Sequence, residues 1–157
     1  MKKFFFYDPK LLLYGFLIIF FASYGQTFFI SLFNTEIRKF YRLSDGEFGL
    51  VYAVATLLSS FLLISFAKLI DHLDLRLYSF IITLGFLCAC LGMVILINNI
   101  LYLFLVIFML RFFGQGAMDH AGGTTMARYF GNDKGKALSV ATLGGMIGVM
   151  FLSLIHI

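Results

Sequence analysis

The chain has 157 residues, of which 61% are hydrophobic and 13% are charged, and it carries one proline and a formal net charge of +4. A water-soluble domain of this length has too little interior to bury so much apolar side chain, so the composition excludes a soluble fold. Inside a bilayer the backbone must satisfy its own polar groups, and a helix does this within one segment. The sequence therefore predicts an all-α membrane protein that crosses the bilayer several times.

Five apolar segments are long enough, or nearly long enough, to cross a bilayer as helices. The first is too long for a signal peptide and is followed by the others, so we interpret it as a retained span. The predicted spans one to five cover residues 11–33, 48–70, 77–97, 100–126 and 137–151.

The placement of lysine and arginine predicts the orientation of these spans. Basic residues concentrate in the N-terminus, residues 1–10, and in the second and fourth connections. Cytoplasmic loops carry the excess of basic residues in most membrane proteins, so the N-terminus is predicted to be cytoplasmic. The basic residues on this side are Lys2, Lys3, Lys10, Lys68, Arg76, Arg128, Lys134 and Lys136, and those on the opposite side are Arg38, Lys39 and Arg42.

Span one contains a polar cluster, residues 23–27, at middle depth. Gln26 is expected either to bind a solute across a cavity or to bond another helix, and both interpretations stay open. Thr27 is expected to bond back to its own helix, as hydroxyl groups in spans often do. Tyr24 is a candidate residue of a cavity wall.

Span four carries an arginine, Arg111, within an apolar run. Its position is about 17 Å along the helix, near the middle of a hydrocarbon layer about 30 Å thick. A charge there costs from about 2.5 to more than 10 kcal/mol, so such residues face a polar cavity or a partner. Arg111 is therefore a candidate for binding an anionic solute group by a forked contact, or else a structural anchor that bonds a neighbouring helix.

Three further polar residues follow Arg111 in the same span. Gln115 and Asp119 come at four-residue intervals after it, which places them on its face of an α-helix, where Gln115 is expected to orient the solute. Asp119 or His120 is a candidate to carry a coupled proton. The alternative is that Asp119 and His120 lie close to the cytoplasmic interface and have no such role.

Span five is short and rich in glycine. Gly144, Gly145 and Gly148 are predicted to let span five pack closely against a neighbouring span. Because five spans are an unusual number at which to stop, the natural protein is expected to be longer, and residues 152–157 are expected to be a non-native tail. His156 is therefore given no functional role.

Two pairs of segments suggest an internal repeat. Residues 13–20 of span one are similar to residues 101–108 of span four, and residues 54–57 of span two are similar to residues 140–143 of span five, at nearly the same offset. Membrane spans draw on few residue types, so chance similarity is the alternative. Because three is an odd number, a three-helix repeat enters the membrane in the opposite sense, as in many secondary transporters.

Three segments resemble motifs in the N-terminal half of major facilitator superfamily transporters. Residues 111–116 are similar to the arginine and glycine signature of the family's fourth helix. Residues 67–76 resemble its Gly-x-x-x-Asp-Arg-x-Gly-Arg-Arg loop as a degenerate copy, in which Asp71 and Arg76 match. Residues 126–138 resemble the cytoplasmic connection after helix four, with an arginine at the helix end.

This resemblance implies five helices of a six-helix N-terminal bundle, in a multi-pass plasma-membrane protein that we expect in a bacterial inner membrane. It also implies that the full-length protein transports a small solute, an organic anion or another small metabolite, by alternating access, with or without a coupled proton. Asp71, Arg76 and Arg128 would then belong to a cytoplasmic gate. The chain alone is expected to be inactive, because the C-terminal half that completes the cavity is missing.

Two other functions stay open. A small non-transporting membrane subunit would be stable with a partner protein, and a membrane-embedded enzyme would bring Asp119 and His120 together with a third polar residue.

The sequence has no metal-ligand set around Cys88 and Cys90, no phosphate-binding loop and no nucleophile motif. We therefore predict a protein that is not an enzyme, holds no cofactor, and contacts lipid and a small-molecule solute. No basic tract indicates nucleic acid as a partner.

Overall fold

The structure is a computed structural model of the chain in which residues 8–95 and 97–155 are described, the last four of them by their backbone alone. Helices are the only regular elements within these two ranges, so the predicted all-α class is confirmed. Most of the predicted cytoplasmic N-terminus, and residues 156 and 157 of the predicted tail, lie outside the described residues.

The long helices follow the order of the predicted spans. The first four are long and apolar enough to cross a membrane, and the fifth is a 22-residue helix. A short helix, Asn34–Tyr41, joins the first two. From here on, spans one to five are Pro9–Leu32, Asp45–Asp71, Leu75–Val94, Ile100–Tyr129 and Lys134–Ile155.

Spans one and four each change helix type near the middle. Span one passes through a 3-10 turn, and span four passes through a π-helix, Leu110–Met118. Span two ends in a 3-10 turn, and another such turn joins spans four and five. The α-helical parts are Pro9–Ala22, Thr27–Leu32, Asp45–Phe66, Ile100–Met109 and Asp119–Tyr129, and the 3-10 turns are Ser23–Gly25, Ala67–Asp71 and Gly131–Asp133.

Side-chain caps explain why spans one and two begin before the predicted residues. The Asp8 carboxylate accepts a hydrogen bond of 3.0 Å from the Leu11 amide. Ser44 and Glu47 form a reciprocal capping box at the start of span two. Such caps satisfy amide groups that the first turn of a helix leaves unpaired. At the other end, span three stops at Val94, because the backbone after it is extended.

Span five packs against span one through glycine. A Cβ atom on Gly144 would lie 2.1 Å from the Phe16 carbonyl oxygen, and one on Gly148 would lie 2.7 Å from the Phe20 carbonyl oxygen. Small residues allow helix backbones to approach this closely. A Cβ atom on Gly145 would lie 3.1 Å from an isoleucine side chain of span one. The three glycines therefore lie where span five meets span one.

Span four lies at the centre of the bundle and contacts each of the other spans. Its side chains Leu110 and Met118 are almost completely buried in the main apolar core. Spans two and three are less covered and present large apolar side chains such as Leu57 and Phe80 at the surface, as lipid-facing helices do. This arrangement places the π-helix of span four directly against the 3-10 turn of span one.

Candidate functional site

Span one is broken at Gln26. The helix tightens into a 3-10 turn at Ser23, Gln26 has an extended backbone with φ −77° and ψ 159°, and the helix starts again at Thr27. Gly25 lies in this break, and a Cβ atom on it would be 2.7 Å from the Gly114 Cα atom of span four. The two backbones therefore touch at a place where both helices are irregular.

The touching part of span four is its π-helix, Leu110–Met118. A π-helix has wider turns than an α-helix, is rare, and occurs frequently at functional sites. The segment contains Arg111 and Gln115, and it packs against spans one, two and three. Because α-helical spacing does not hold within the π-helix, the contacts of its polar residues cannot be predicted from their spacing and are taken from the structure.

Arg111 is buried in the middle of the bundle, with 8% of its surface exposed. Its Nη1 group donates hydrogen bonds to the Thr27 hydroxyl oxygen at 3.2 Å and to the Gly25 carbonyl oxygen at 3.4 Å. Its Cζ atom lies 5.3 Å from the centre of the Tyr52 ring, within the range of a cation–π contact. Uncharged groups of spans one and two thus hold the guanidinium, and its buried Nε has no partner among the described residues.

Thr27 and Tyr52 connect spans one and two beside Arg111. The Tyr52 hydroxyl donates to the Thr27 hydroxyl oxygen at 2.7 Å, so this oxygen accepts from both Tyr52 and Arg111. The sequence predicts that Thr27 bonds within its own helix, and this prediction is wrong, because the helix restarts at Thr27 and leaves its hydroxyl facing other spans. Sequence reasoning also missed Tyr52. The available signal was a polar stripe along span two, formed with Thr56 and Ser59 at helical spacing.

Asp119 follows the π-helix and also faces the break in span one. Gln26 Nε2 donates a hydrogen bond of 3.0 Å to Asp119 Oδ2. Gln26 therefore bonds another helix in the structure, and its role in binding a solute stays a prediction. Arg111 and Asp119 are thus both held by the break in span one, through different residues of it.

Gln115 lines a polar cavity of about 210 Å³ between spans two and four. Its Oε1 atom is buried and has no hydrogen-bond partner among the described residues. The serine hydroxyls of span two supply most of the remaining polar groups, and sequence reasoning did not select them. The cavity is lined by Ser59, Ser60, Leu63, Arg111, Gln115 and Gly116.

His120 and Tyr24 lie away from this cavity. His120 Nε2 is 3.3 Å from the Thr124 hydroxyl oxygen, one turn further along span four. His120 and Asp119 therefore have different partners and converge on no third polar residue among those that the structure describes. Tyr24 lines two apolar cavities of about 500 Å³ each, and its ring packs edge-to-face against Phe29 at 5.5 Å. Tyr24 is a wall residue of apolar space and is not in the polar cavity with Gln115.

The three residues predicted for a cytoplasmic gate lie at one end of the bundle. Asp71 and Arg128 form an ion pair between the ends of spans two and four. Arg128 also donates a hydrogen bond of 3.3 Å to the Ile70 carbonyl oxygen. Arg76 is exposed in the first turn of span three, close in sequence to this pair. A polar cavity of about 140 Å³ lies beside them, lined partly by Asp74.

A bundle of membrane-length helices with a buried arginine at a broken span has the architecture of a solute transporter. The family model of the Major Facilitator Superfamily matches residues 15–156 of the chain. The chain belongs to this superfamily, whose members are transporters, and it is an integral membrane protein. No curated protein and no solved structure matches it.

Proposed function

We propose that this chain is the N-terminal part of a multi-pass secondary transporter of the bacterial inner membrane. The complete protein moves a small solute, an organic anion or another small metabolite, by alternating access. The chain alone is inactive, because the second half of the transporter supplies the other wall of the solute cavity.

The observation that carries this proposal is the environment of Arg111. A buried guanidinium with 8% of its surface exposed is normally neutralised by a carboxylate. Here the hydrogen-bond partners of Arg111 are a hydroxyl and a carbonyl, an aromatic ring covers it, and no carboxylate of the described residues pairs with it. An anionic solute supplies the missing charge, and a carboxylate matches the forked geometry of arginine.

The cavity beside Arg111 supports a solute with polar groups in addition to its negative charge. Gln115, Ser59 and Ser60 line about 210 Å³ of space next to the guanidinium. The two serine hydroxyls donate to the Thr56 carbonyl oxygen and keep their oxygens as acceptors, while the Gln115 amide both donates and accepts, which suits hydroxyl or amino groups on a small metabolite. Gln115 is accordingly assigned to orienting the solute, whereas Arg111 holds its charge.

Proton coupling is assigned to Asp119, with His120 as the second candidate. Asp119 is the carboxylate nearest to Arg111 in span four, and it is half-buried against Gln26. At the predicted cytoplasmic end, the Asp71–Arg128 ion pair ties span two to span four, which suits a gate that opens when the pair separates. Arg76 is assigned to the same gate.

The test is transport by the complete gene product in proteoliposomes, with a panel of small organic anions, neutral metabolites and amines. Arg111→Ala is expected to lower the apparent affinity for an anionic substrate at least about tenfold, since it removes a charge-assisted contact. Arg111→Lys is expected to recover part of this loss, because it keeps the charge but not the fork. Lys39→Ala, at an exposed lysine of the connecting helix, is the matched control that removes a charge elsewhere.

Uptake restricted to amines, or equal uptake by the wild type and Arg111→Ala, would contradict the assignment of Arg111 to the solute. The 157-residue chain is measured in the same assay and is expected to show no uptake. Asp119→Asn and His120→Gln are compared under an imposed proton gradient. Loss of gradient-driven accumulation in Asp119→Asn, with exchange retained, identifies Asp119 as the coupling group.

A further inference from the structure

Three consecutive residues of span one hold Arg111, which is buried, and Asp119, which is half-buried. The Gly25 carbonyl and the Thr27 hydroxyl accept from Arg111, and between them the Gln26 amide donates to Asp119. Among the ion pairs of the described residues, none joins Arg111 to Asp119. The break in span one therefore contacts both charges, through separate residues.

The backbone of the break makes its three residues move together. Gln26 is extended, between a 3-10 turn that ends at Gly25 and a helix that begins at Thr27. Gly25 lies against Gly114 so closely that a side chain cannot fit between the spans. If the Gln26 backbone moves together with its side chain, the adjacent Gly25 carbonyl and Thr27 must therefore move as well.

We propose that residues 25–27 couple the protonation of Asp119 to the release of Arg111, and this proposal rests on the function proposed above. With Asp119 ionised, Gln26 donates a charge-assisted bond to it, and the break holds Arg111 against span one. A proton taken from water onto Asp119 removes the charge and weakens that bond by about half. The break then relaxes, Arg111 loses its two acceptors, and the guanidinium becomes free to bind an anion.

The direction of coupling follows from this geometry. Protonation favours the free form of Arg111, so anion binding strengthens as the pH falls through the titration of Asp119. By reciprocity, a bound anion favours protonation of Asp119 by the same factor. Gln26 and Thr27 are positioning residues in this scheme, since they act through Arg111 and Asp119.

The groups around Asp119 leave few competing sources for such an effect. His120 is the next residue of span four, and its ring is bonded to Thr124. The polar group that faces Asp119 from span one is Gln26. The charged residues of the packed spans lie toward their ends, namely Lys10, Asp45, Glu47, Lys68, Asp71, Arg76, Lys134 and Lys136, and Asp8 caps the start of span one.

The experiment measures the exposure of Arg111 directly and needs no knowledge of the substrate. Membrane vesicles that contain the complete gene product are treated with the arginine reagent phenylglyoxal, and modified arginines are quantified by mass spectrometry. The ratio of Arg111 to Arg42 modification is used, because Arg42 is exposed and corrects for the effect of pH on the reagent. The ratio is measured at pH 6 and pH 8.

We expect the ratio to be higher at pH 6 than at pH 8 in the wild type, by a factor within roughly 5 to 150, the usual range of coupling between sites. Asp119→Asn is expected to give the high ratio at both pH values. Gln26→Leu is expected to lose the pH dependence, and Thr27→Val to raise the ratio at both values. Thr27→Ser, which keeps the hydroxyl, is expected to behave as wild type.

Ser31→Ala is the control, because Ser31 is exposed in span one beyond the break and bonds only the backbone of its own helix in the structure. A pH-independent wild-type ratio, or a pH response in Gln26→Leu equal to that of the wild type, overturns the proposal. Because the wild-type and Thr27→Ser measurements do not depend on a destabilised variant, they test it even if Gln26→Leu fails to fold. If the modification ratio does not respond to pH but transport still requires Arg111, this proposal is wrong and the proposed function is unaffected.

Discussion

Replacement of Gly144 by alanine tests whether span five packs on span one as the structure describes. The added Cβ atom would lie 2.1 Å from the Phe16 carbonyl oxygen and 3.0 Å from the Phe16 carbonyl carbon. Both are backbone atoms of a helix, so no side chain can rotate away to make room. The two spans must therefore separate along their contact, which also includes Gly148.

The size of the effect follows from two opposing terms. Overpacking of a close contact costs about 1 to 3 kcal/mol, whereas glycine to alanine in a helix gains up to about 1 kcal/mol in propensity. At a site without a steric conflict only the gain remains. Gly49 in span two is such a site, since no atom lies within 4 Å of a Cβ built on it. Gly144→Ala and Gly49→Ala thus make the same chemical change with opposite expected signs.

The measurement is thermal unfolding of the purified protein in detergent, followed by the fraction that remains monodisperse. Because the 2.1 Å contact is with backbone, we expect a cost near the upper end of this range and a net loss of about 2 kcal/mol, which corresponds to a fall in Tm of roughly 4 to 8 °C for a chain of this length. Gly49→Ala is expected to keep or raise the Tm. Equal Tm values for Gly144→Ala, Gly49→Ala and the wild type would refute the close contact between spans one and five.

Three other changes probe the site and the cytoplasmic end. Tyr52→Phe keeps the ring over Arg111 but removes the hydroxyl, so we expect a loss of about 0.5 to 1.5 kcal/mol in stability by thermal unfolding and an unchanged charge preference in uptake. Gly25→Ala is expected to abolish uptake, because the added methyl group forces the break in span one away from the π-helix. The protein is still expected to reach the membrane, which surface labelling measures. Asp71→Asn is expected to raise cytoplasmic cysteine-reagent access to a reporter cysteine beside Arg128, since it breaks the ion pair.

The sequence was sufficient to predict the helical class and the first four spans, because hydrophobic length is a local property. It also identified Arg111 as a buried charge, since a charged residue in the middle of an apolar span must lie within the membrane. The packing glycines of span five were visible as a four-residue pattern. The span that they contact was not visible, because the pattern is the same whichever helix lies opposite.

The partners of Arg111 were less accessible to sequence reasoning. Thr27 and Tyr52 lie far from Arg111 in the chain, and their contact depends on where span one breaks. No proline lies beside Gln26, so the sequence carries no strong signal that the helix breaks there. The π-helix also has no recognisable sequence signal, because its polar residues are spaced as in an ordinary α-helix. Irregular backbone that is stabilised by tertiary contacts leaves only weak local signals, here the glycines Gly25 and Gly114.

An inverted repeat of the kind that the sequence predicts would bring these two irregular segments together. When residues 13–20 are aligned with residues 101–108, the break at Gln26 corresponds to Gly114 in the π-helix. Copies related by an axis in the membrane plane cross at one depth, so corresponding positions of the two copies lie against each other at that axis. A Cβ atom on Gly114 would lie 2.8 Å from the Gly25 Cα atom, so the two backbones touch within one residue of the aligned pair. A real repeat thus predicts irregular segments at matching places in spans one and four, whereas a chance similarity predicts neither.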